Sequence, residues 1–227
     1  MELTYSLRRL AKAVADSAPR AVRIAYRPPP VMMTDGAIEP VASSRAYPRG
    51  TACRHGPDAG TLKYGSIGGI LLDPIAGEYL FFAAVLPDEL LAKLFEVSAS
   101  PIAEVEAMAI LVGIVLWAER LRGRAALLFV DNEPAKHAVA RGTSRSALLA
   151  DITEKICEAE IRSRALLWAE RVASADNSAD LPSRGEAPPE LAGWPEPQQT
   201  AAEDITADCD STEHQYFRGL RDVSVDK

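Results

Sequence analysis

Two apolar runs of this 227-residue chain each end in an aspartate. VMMTDGA carries Val31, Met32 and Met33 into Thr34 and Asp35, and LLFVDNEPA carries Leu127 to Val130 into Asp131 and Asn132. A carboxylate that finishes a core-like strand is costly to bury without a counter-charge. Each aspartate therefore either caps a turn or helix or serves chemistry, and capping is open for both, since Asp131 precedes a helix pattern and Asp35 a glycine. Glu106 raises the same question, because it opens the wholly apolar run from Ala107 to Ala118. Glu104, two positions earlier, must leave the same helix on another side, where solvent is expected. The fourth acid, Asp180, lies in NSADLPSRG, where the start of a short helix is the plain alternative. Four such carboxylates form the oxygen-only donor set that hard divalent cations prefer. Two Mg2+ ions about 4 Å apart can share a cluster of this kind, one activating a water and the other steadying the leaving oxygen of a phosphodiester.

Bringing these acids together requires strands that run side by side. Residues 1–30 are basic, read as an amphipathic helix, and end in the stiff connector Pro28-Pro29-Pro30. A first strand follows from Val31, then a Gly-, Pro-, Ser- and Arg-rich loop insert over 36–63. YGSIGGILLD and EYLFFAAVL, joined through Pro74 to Gly77, predict an antiparallel hairpin. A long helix is expected with Ser100 as N-cap, Pro101 at its first position and Gly123 at its end. After it come a strand in AALLFVDN, a short helix from Glu133 to Arg141 closed by Gly142, a polar helix over Ser146 to Ser163, a strand in RALLWAERV and a last helix start. The order β-β-β-α-β-α-α-β-α predicts an α/β domain over 31–186: a five-stranded mixed sheet, three strands antiparallel and two parallel, flanked by helices. In it the first strand and the strand after the long helix lie parallel and adjacent, so Asp35 and Asp131 reach one edge. Trp117 and Trp168 fall in element patterns and are expected in the core. The acidic, Pro-rich stretch 187–227 lacks periodicity and is expected to be a disordered tail.

Composition excludes several classes. With 48% hydrophobic residues the chain can build a core, and its longest apolar run is too short to span a bilayer of about 30 Å. No secretory leader is apparent, and three widely spaced cysteines (Cys53, Cys157, Cys209) suit neither a disulfide framework nor a zinc knuckle, so an intracellular setting is expected. The histidines His55, His137 and His214 have no ligand spacing and are expected at the surface. A net charge of −7 argues against a general nucleic-acid coating protein but not against a nuclease, whose site is itself acidic.

The order Asp35, Glu106, Asp131, Asp180, with TDGA, the helix phrase E-x-x-A-x-x-x-G from Glu106 to Gly113, FVDN and the closing ERVASADNSADLPSRG, resembles the ribonuclease H family. It is most similar to the ribonuclease H domains of retroelement reverse transcriptases, over about Val31 to Gly185. The resemblance implies a ribonuclease H-like fold in which these four acids bind two Mg2+ or Mn2+ ions and hydrolyse the RNA strand of an RNA–DNA hybrid. It also implies a reverse-transcriptase polymerase domain as partner, and no membrane. Ser174, Asn177, Arg145 and Arg184 flank the expected metal edge and are the candidates for substrate contact. Where many family members carry a histidine before the last aspartate, this chain has Ser174 and Asp176. A catalytically silent module of the same fold is the alternative, against which the presence of all four acids weighs. A 3′–5′ exonuclease would want an acid where Ala37 stands.

Overall fold

The structure is a computed structural model that describes residues 27–40 and 63–200. The basic helix expected in the first thirty residues therefore lies outside the described residues except for its Pro connector, as do Cys53, His55, Cys209 and His214. The elements are β1 (Val31–Pro40), β2 (Lys63–Asp73), β3 (Glu78–Val85), α1 (Asp88–Val97), α2 (Ile102–Leu116), α3 (Ala118–Leu121), β4 (Ala125–Val130), α4 (Glu133–Arg141), α5 (Ala147–Ser163), β5 (Leu166–Arg171), a 3-10 turn (Ser174–Asp176), α6 (Asp180–Ser183) and β6 (Gln198–Gln199). They build one mixed sheet in the order β5-β4-β1-β2-β3-β6. β1, β2 and β3 are antiparallel neighbours, while β4 pairs parallel with β1 and β5. This is the arrangement that the ribonuclease H resemblance implies, with six strands in place of five.

The hairpin is set by its turn. Asp73 Oδ1 accepts hydrogen bonds from the backbone N–H of Ile75 (2.9 Å) and Ala76 (3.2 Å), Gly77 supplies the left-handed φ of 66°, and Arg124 ion-pairs with the Asp73 carboxylate. α2 is apolar on all sides because it is covered on all sides: it lies on β1 and β2 and is backed by α5. Gly113 lets it settle on the sheet, where an added Cβ would stand 3.1 Å from Met32 Sδ. The hydrophobic core forms between them, around Met32, Ile67, Leu71, Phe82, Met108, Ile110, Leu128 and Ile152.

Several expectations are corrected. β1 does not stop at Asp35 but runs to Pro40 in register with β2, so residues 36–40 and Lys63 are strand and only 41–62 stand outside the described residues. α1 was not anticipated; its amphipathic DELLAKLFEV buries Leu90, Leu91 and Leu94 directly after a strand, with no cap to announce it. The long helix begins at Ile102 with no side-chain cap, so Ser100 is not its N-cap, and it breaks at Trp117, whose indole is buried, tilts against Phe82 and donates to Thr200 Oγ1 at 3.3 Å. Trp168 is 64% exposed, because β5 is an edge strand whose inward positions are Leu167 and Ala169. His137 is at the surface, paired with Glu133.

Residues 187–200, assigned from their composition to the tail, lie on the domain. The second face of β2 and β3 presents Ile70, Tyr79 and Phe81, and apolar surface of that extent needs a cover. Leu191 and Trp194 provide it, the Tyr79 hydroxyl donates to the Pro189 carbonyl at 2.9 Å, and β6 pairs with Leu80 and Phe81. The described domain thus extends to Thr200, past the expected boundary at 186. Among the described residues no helix is long and apolar enough to cross a membrane.

Gly68 faces Asp35 across the β1–β2 ladder, and a Cβ there would lie 2.1 Å from the Ser183 backbone nitrogen. Because backbone cannot rotate aside as a side chain can, Gly68→Ala is expected to destabilise the protein by about 2 kcal/mol or more, at the upper end for overpacking. Urea unfolding of the variant beside wild type measures it.

Candidate active site

Three elements converge at one end of the sheet. β4 pairs with β1 only as far as Met33↔Phe129, after which the two strands part. Asp35 lies on β1 just beyond that fork, and Asp131 is the first residue after β4. The first turns of α2 close the gap from above: Gly36 has no side chain, and a Cβ there would come within 2.9 Å of the Glu106 backbone nitrogen. This close approach brings Glu106 to the two aspartates. Each of Asp35, Glu106 and Asp131 offers a carboxylate oxygen, and these lie within 4.8 Å of one another.

The structure decides the capping question against both aspartates. Asn132, not Asp131, caps α4, its Oδ1 accepting from Ala135 N at 3.0 Å. Asp35 sits mid-strand, with no turn to serve. Asp35 and Glu106 are only 6% and 4% exposed. Burial, then the charges of Asp35 and Asp131, push Glu106 up to about 10. Its proton, when present, can be donated to Asp131; with both groups ionised neither has a hydrogen to give, and Glu106 Oε2 and Asp131 Oδ1 are buried without a hydrogen-bonding partner. Burial raises Asp35 to about 6 despite the opposing hydrogen bond from Ser183, with Asp131 and Asp180 adding to the rise and Arg184 offsetting part of it. Left to itself, the cluster holds protons; a divalent cation satisfies the same oxygens and removes the repulsion.

Asp180, the first residue of α6, makes no side-chain cap and is not one of the three acids whose oxygens lie within 4.8 Å, although its charge acts on Asp35. Its carboxylate pairs with Arg184 at 2.9 Å, and Arg184 also pairs with Glu39 on β1. Glu104 is a correction: instead of reaching solvent it is 5% exposed and accepts from Ser146 Oγ at 2.9 Å. The side of α2 opposite Glu106 is covered by the start of α5, so both acids are buried, in different surroundings. Asn177 is buried, its Nδ2 donates to the Thr34 carbonyl (3.1 Å) and its Oδ1 accepts from Ala179 N (3.2 Å), which ties the closing loop to β1. Ser174 and Arg145 are exposed. The residue that the sequence reading passed over is Ser183, fully buried, whose hydroxyl donates to Asp35 Oδ2. Its only signal was its place in the quoted LPSRG.

No family model matches the chain, and no curated protein matches it. Solved structures do. An RNase H1 isolated from compost, in complex with an RNA/DNA hybrid, is 14% identical, with a TM-score of 0.47 over 69% of this chain and 95% of that one. The N-terminal RNase H domain of a Mycobacterium tuberculosis protein is 14% identical, with a TM-score of 0.46 over 69% of this chain and 91% of that one. A foamy-virus protease–reverse transcriptase is 12% identical, with a TM-score of 0.36 over 71% of this chain and 20% of that one.

The cluster makes stability depend on pH. Without metal, folded Glu106 keeps its proton from its ordinary 4.5 up to about 10, and Asp35 from 3.8 up to about 6. The native state then binds more protons than the unfolded chain, so this contribution to stability is complete below about pH 4 and is lost as pH rises through the folded values. In EDTA, Glu106→Gln is expected to melt with wild type at pH 4 and above it at pH 8. Thermal unfolding followed by circular dichroism at the two pH values checks this.

Proposed function

We propose that this chain is a divalent-metal-dependent nuclease of ribonuclease H type that hydrolyses the RNA strand of an RNA–DNA hybrid. The observation that carries the proposal is the trio Asp35, Glu106 and Asp131, three carboxyl groups with an oxygen of each within 4.8 Å, of which Asp35 and Glu106 are buried and Glu106 Oε2 and Asp131 Oδ1 have no hydrogen-bonding partner when ionised. An all-oxygen set of this charge fits Mg2+, with Mn2+ as a substitute, and does not suit a metal that prefers sulfur or imidazole. Asp35, Glu106 and Asp131 would hold the cation, and Asp180 would contribute from the rim. Two such ions, when bound, supply an activated water and stabilise the leaving oxygen of the phosphodiester.

The chain's own residues do the positioning. β1 and β4 hold Asp35 and Asp131 on the rigid sheet, and α2 holds Glu106 against them. Arg184 offsets one of the two charges of Asp180 and Glu39 at the rim, where an acidic site would otherwise repel a phosphate backbone more strongly. Arg145 and Ser174, both exposed, would be the residues to meet the backbone itself. The substrate assignment rests on the resemblance of the four-acid order and the closing motif to ribonuclease H. The same resemblance supports descent from a retroelement and a polymerase domain as partner, and the cysteine spacing an intracellular setting; a chain of net charge −7 draws little affinity from its own surface for a polyanion.

The deciding experiment offers labelled RNA–DNA hybrid, double-stranded RNA and double-stranded DNA to the protein with Mg2+, Mn2+, Ca2+ or EDTA. Cleavage confined to the RNA of the hybrid, in Mg2+ or Mn2+ alone, is expected; cleavage in EDTA or of all three substrates would overturn the reading. Asp131→Asn and Glu106→Gln are each expected to lower the rate by more than about 100-fold, beyond the loss typical of a residue that only supports a metal ligand. Glu104→Gln, which keeps an acceptor for Ser146, should stay within a few-fold of wild type, and equal losses at 104 and 106 would refute the assignment of Glu106.

A further inference from the structure

The closing segment Asn177 to Arg184 is pinned to the sheet from several directions. The Asn177 amide grips the Thr34 carbonyl, next to Asp35. Pro182 and Ser183 are buried, and their backbone rests on Gly68, the residue opposite Asp35 on β2. Arg184 crosses from α6 to Glu39 on β1. Every one of these contacts fixes where the Ser183 backbone lies, and none of them requires its hydroxyl. A hydroxyl with no exposure costs stability unless it is bonded, so an alanine would serve at this place if packing were the only demand.

We propose that Ser183 is a positioning residue for Asp35, its hydroxyl setting the orientation in which that carboxylate meets a divalent cation. The hydroxyl carries one hydrogen and has two acceptors in reach, Asp35 Oδ2 and the Asp180 main-chain carbonyl at 2.9 Å. Donation to Asp35 restrains rotation of the carboxylate about its last bond and leaves the second oxygen for the metal. Asp35 needs such a restraint more than the other two acids. Its strand partner at this point is a glycine, and on the other side β4 has already parted from β1, so no neighbouring strand side chain confines it. The short helix α6 thereby links the first of the four candidate acids to the last: Asp180 and Ser183 sit three residues apart, and whatever seats one seats the other.

This inference rests on the proposed metal site but not on the identity of the substrate. Mn2+ binding, measured by calorimetry and by loss of the free-ion paramagnetic resonance signal without nucleic acid, tests it alongside hybrid cleavage. Ser183→Ala is expected to weaken Mn2+ binding about 10-fold, the order seen when a ligand loses its supporting hydrogen bond, with kcat lowered and KM for hybrid unchanged. Ser183→Cys, of similar size but with a weak donor, should fall between alanine and wild type, and it carries the test if the alanine variant does not fold. In an Asp35→Ala background, which removes the acceptor, the Ser183→Ala substitution should add no further loss, because the two act as one unit. Mn2+ binding by Ser183→Ala equal to wild type, or an equal additional loss in the Asp35→Ala background, would overturn the proposal. Wild type that binds Mn2+ but leaves hybrid intact would sink the substrate assignment and leave this inference standing; wild type that binds no Mn2+ would sink both.

Discussion

Three carboxyl groups held together, two of them buried, are the constraint around which this molecule is arranged. Ionised carboxylates this close repel, and the cluster relieves part of that by keeping a proton on Glu106. What remains must be held by the surroundings. The packing of α2 between the sheet and α5 holds it. A helix with eleven consecutive residues buried, Glu104 to Ile114, cannot slide or rotate to relieve one glutamate without opening the core along its length. The apolar character of α2 is therefore as much a part of the site as Glu106 is.

Close approach is the second requirement, and glycine meets it on both faces of the sheet. Gly36 admits the backbone of α2 beside Asp35, and Gly68 admits the backbone of α6 on the opposite face. These are adjacent places in the ladder, since Gly68 pairs with Asp35 and Gly36 follows it. A side chain at either would collide with the backbone of an acid-bearing element. In this way a pair of missing Cβ atoms sets the distance between Asp35, Glu106 and the closing segment.

At the rim the charges are balanced by ordinary means. Arg184 is shared between Asp180 and Glu39, which ties the segment that carries the fourth acid to β1. The far end of the sheet is tied by a different pair, Asp73 with Arg124, where the carboxylate is held below its usual range chiefly by the guanidinium hydrogen bond. The two ends show opposite uses of the same group. Asp73 is buried with a cation attached and stabilises the hairpin; Asp35 is buried among other acids and is suited to a ligand.

Most of the order of the elements was legible in the chain, the helix α1 and the strand β6 excepted, because it depends on local information. Apolar runs of strand length, Gly142 after a helical pattern and the 3.6-residue period of α5 are properties of neighbouring residues. The choice between capping and chemistry for Asp131 was not legible, since Asp131 and Asn132 are equally good caps and only the helix geometry assigns the bond to Asn132. Glu104 was misplaced for a similar reason: a helical period separates two faces but does not say that both are covered. Trp168 is exposed because β5 lies at the edge, and residues 187–200 lie on the sheet because Ile70, Tyr79 and Phe81 form a second apolar face once the strands pair. Ser183 meets Asp35 across 148 positions of chain. Periodicity, turn chemistry and propensity act over a few residues, and so they were readable; which face is covered, which strand is the edge and which hydroxyl reaches which carboxylate come into being only when distant segments pack.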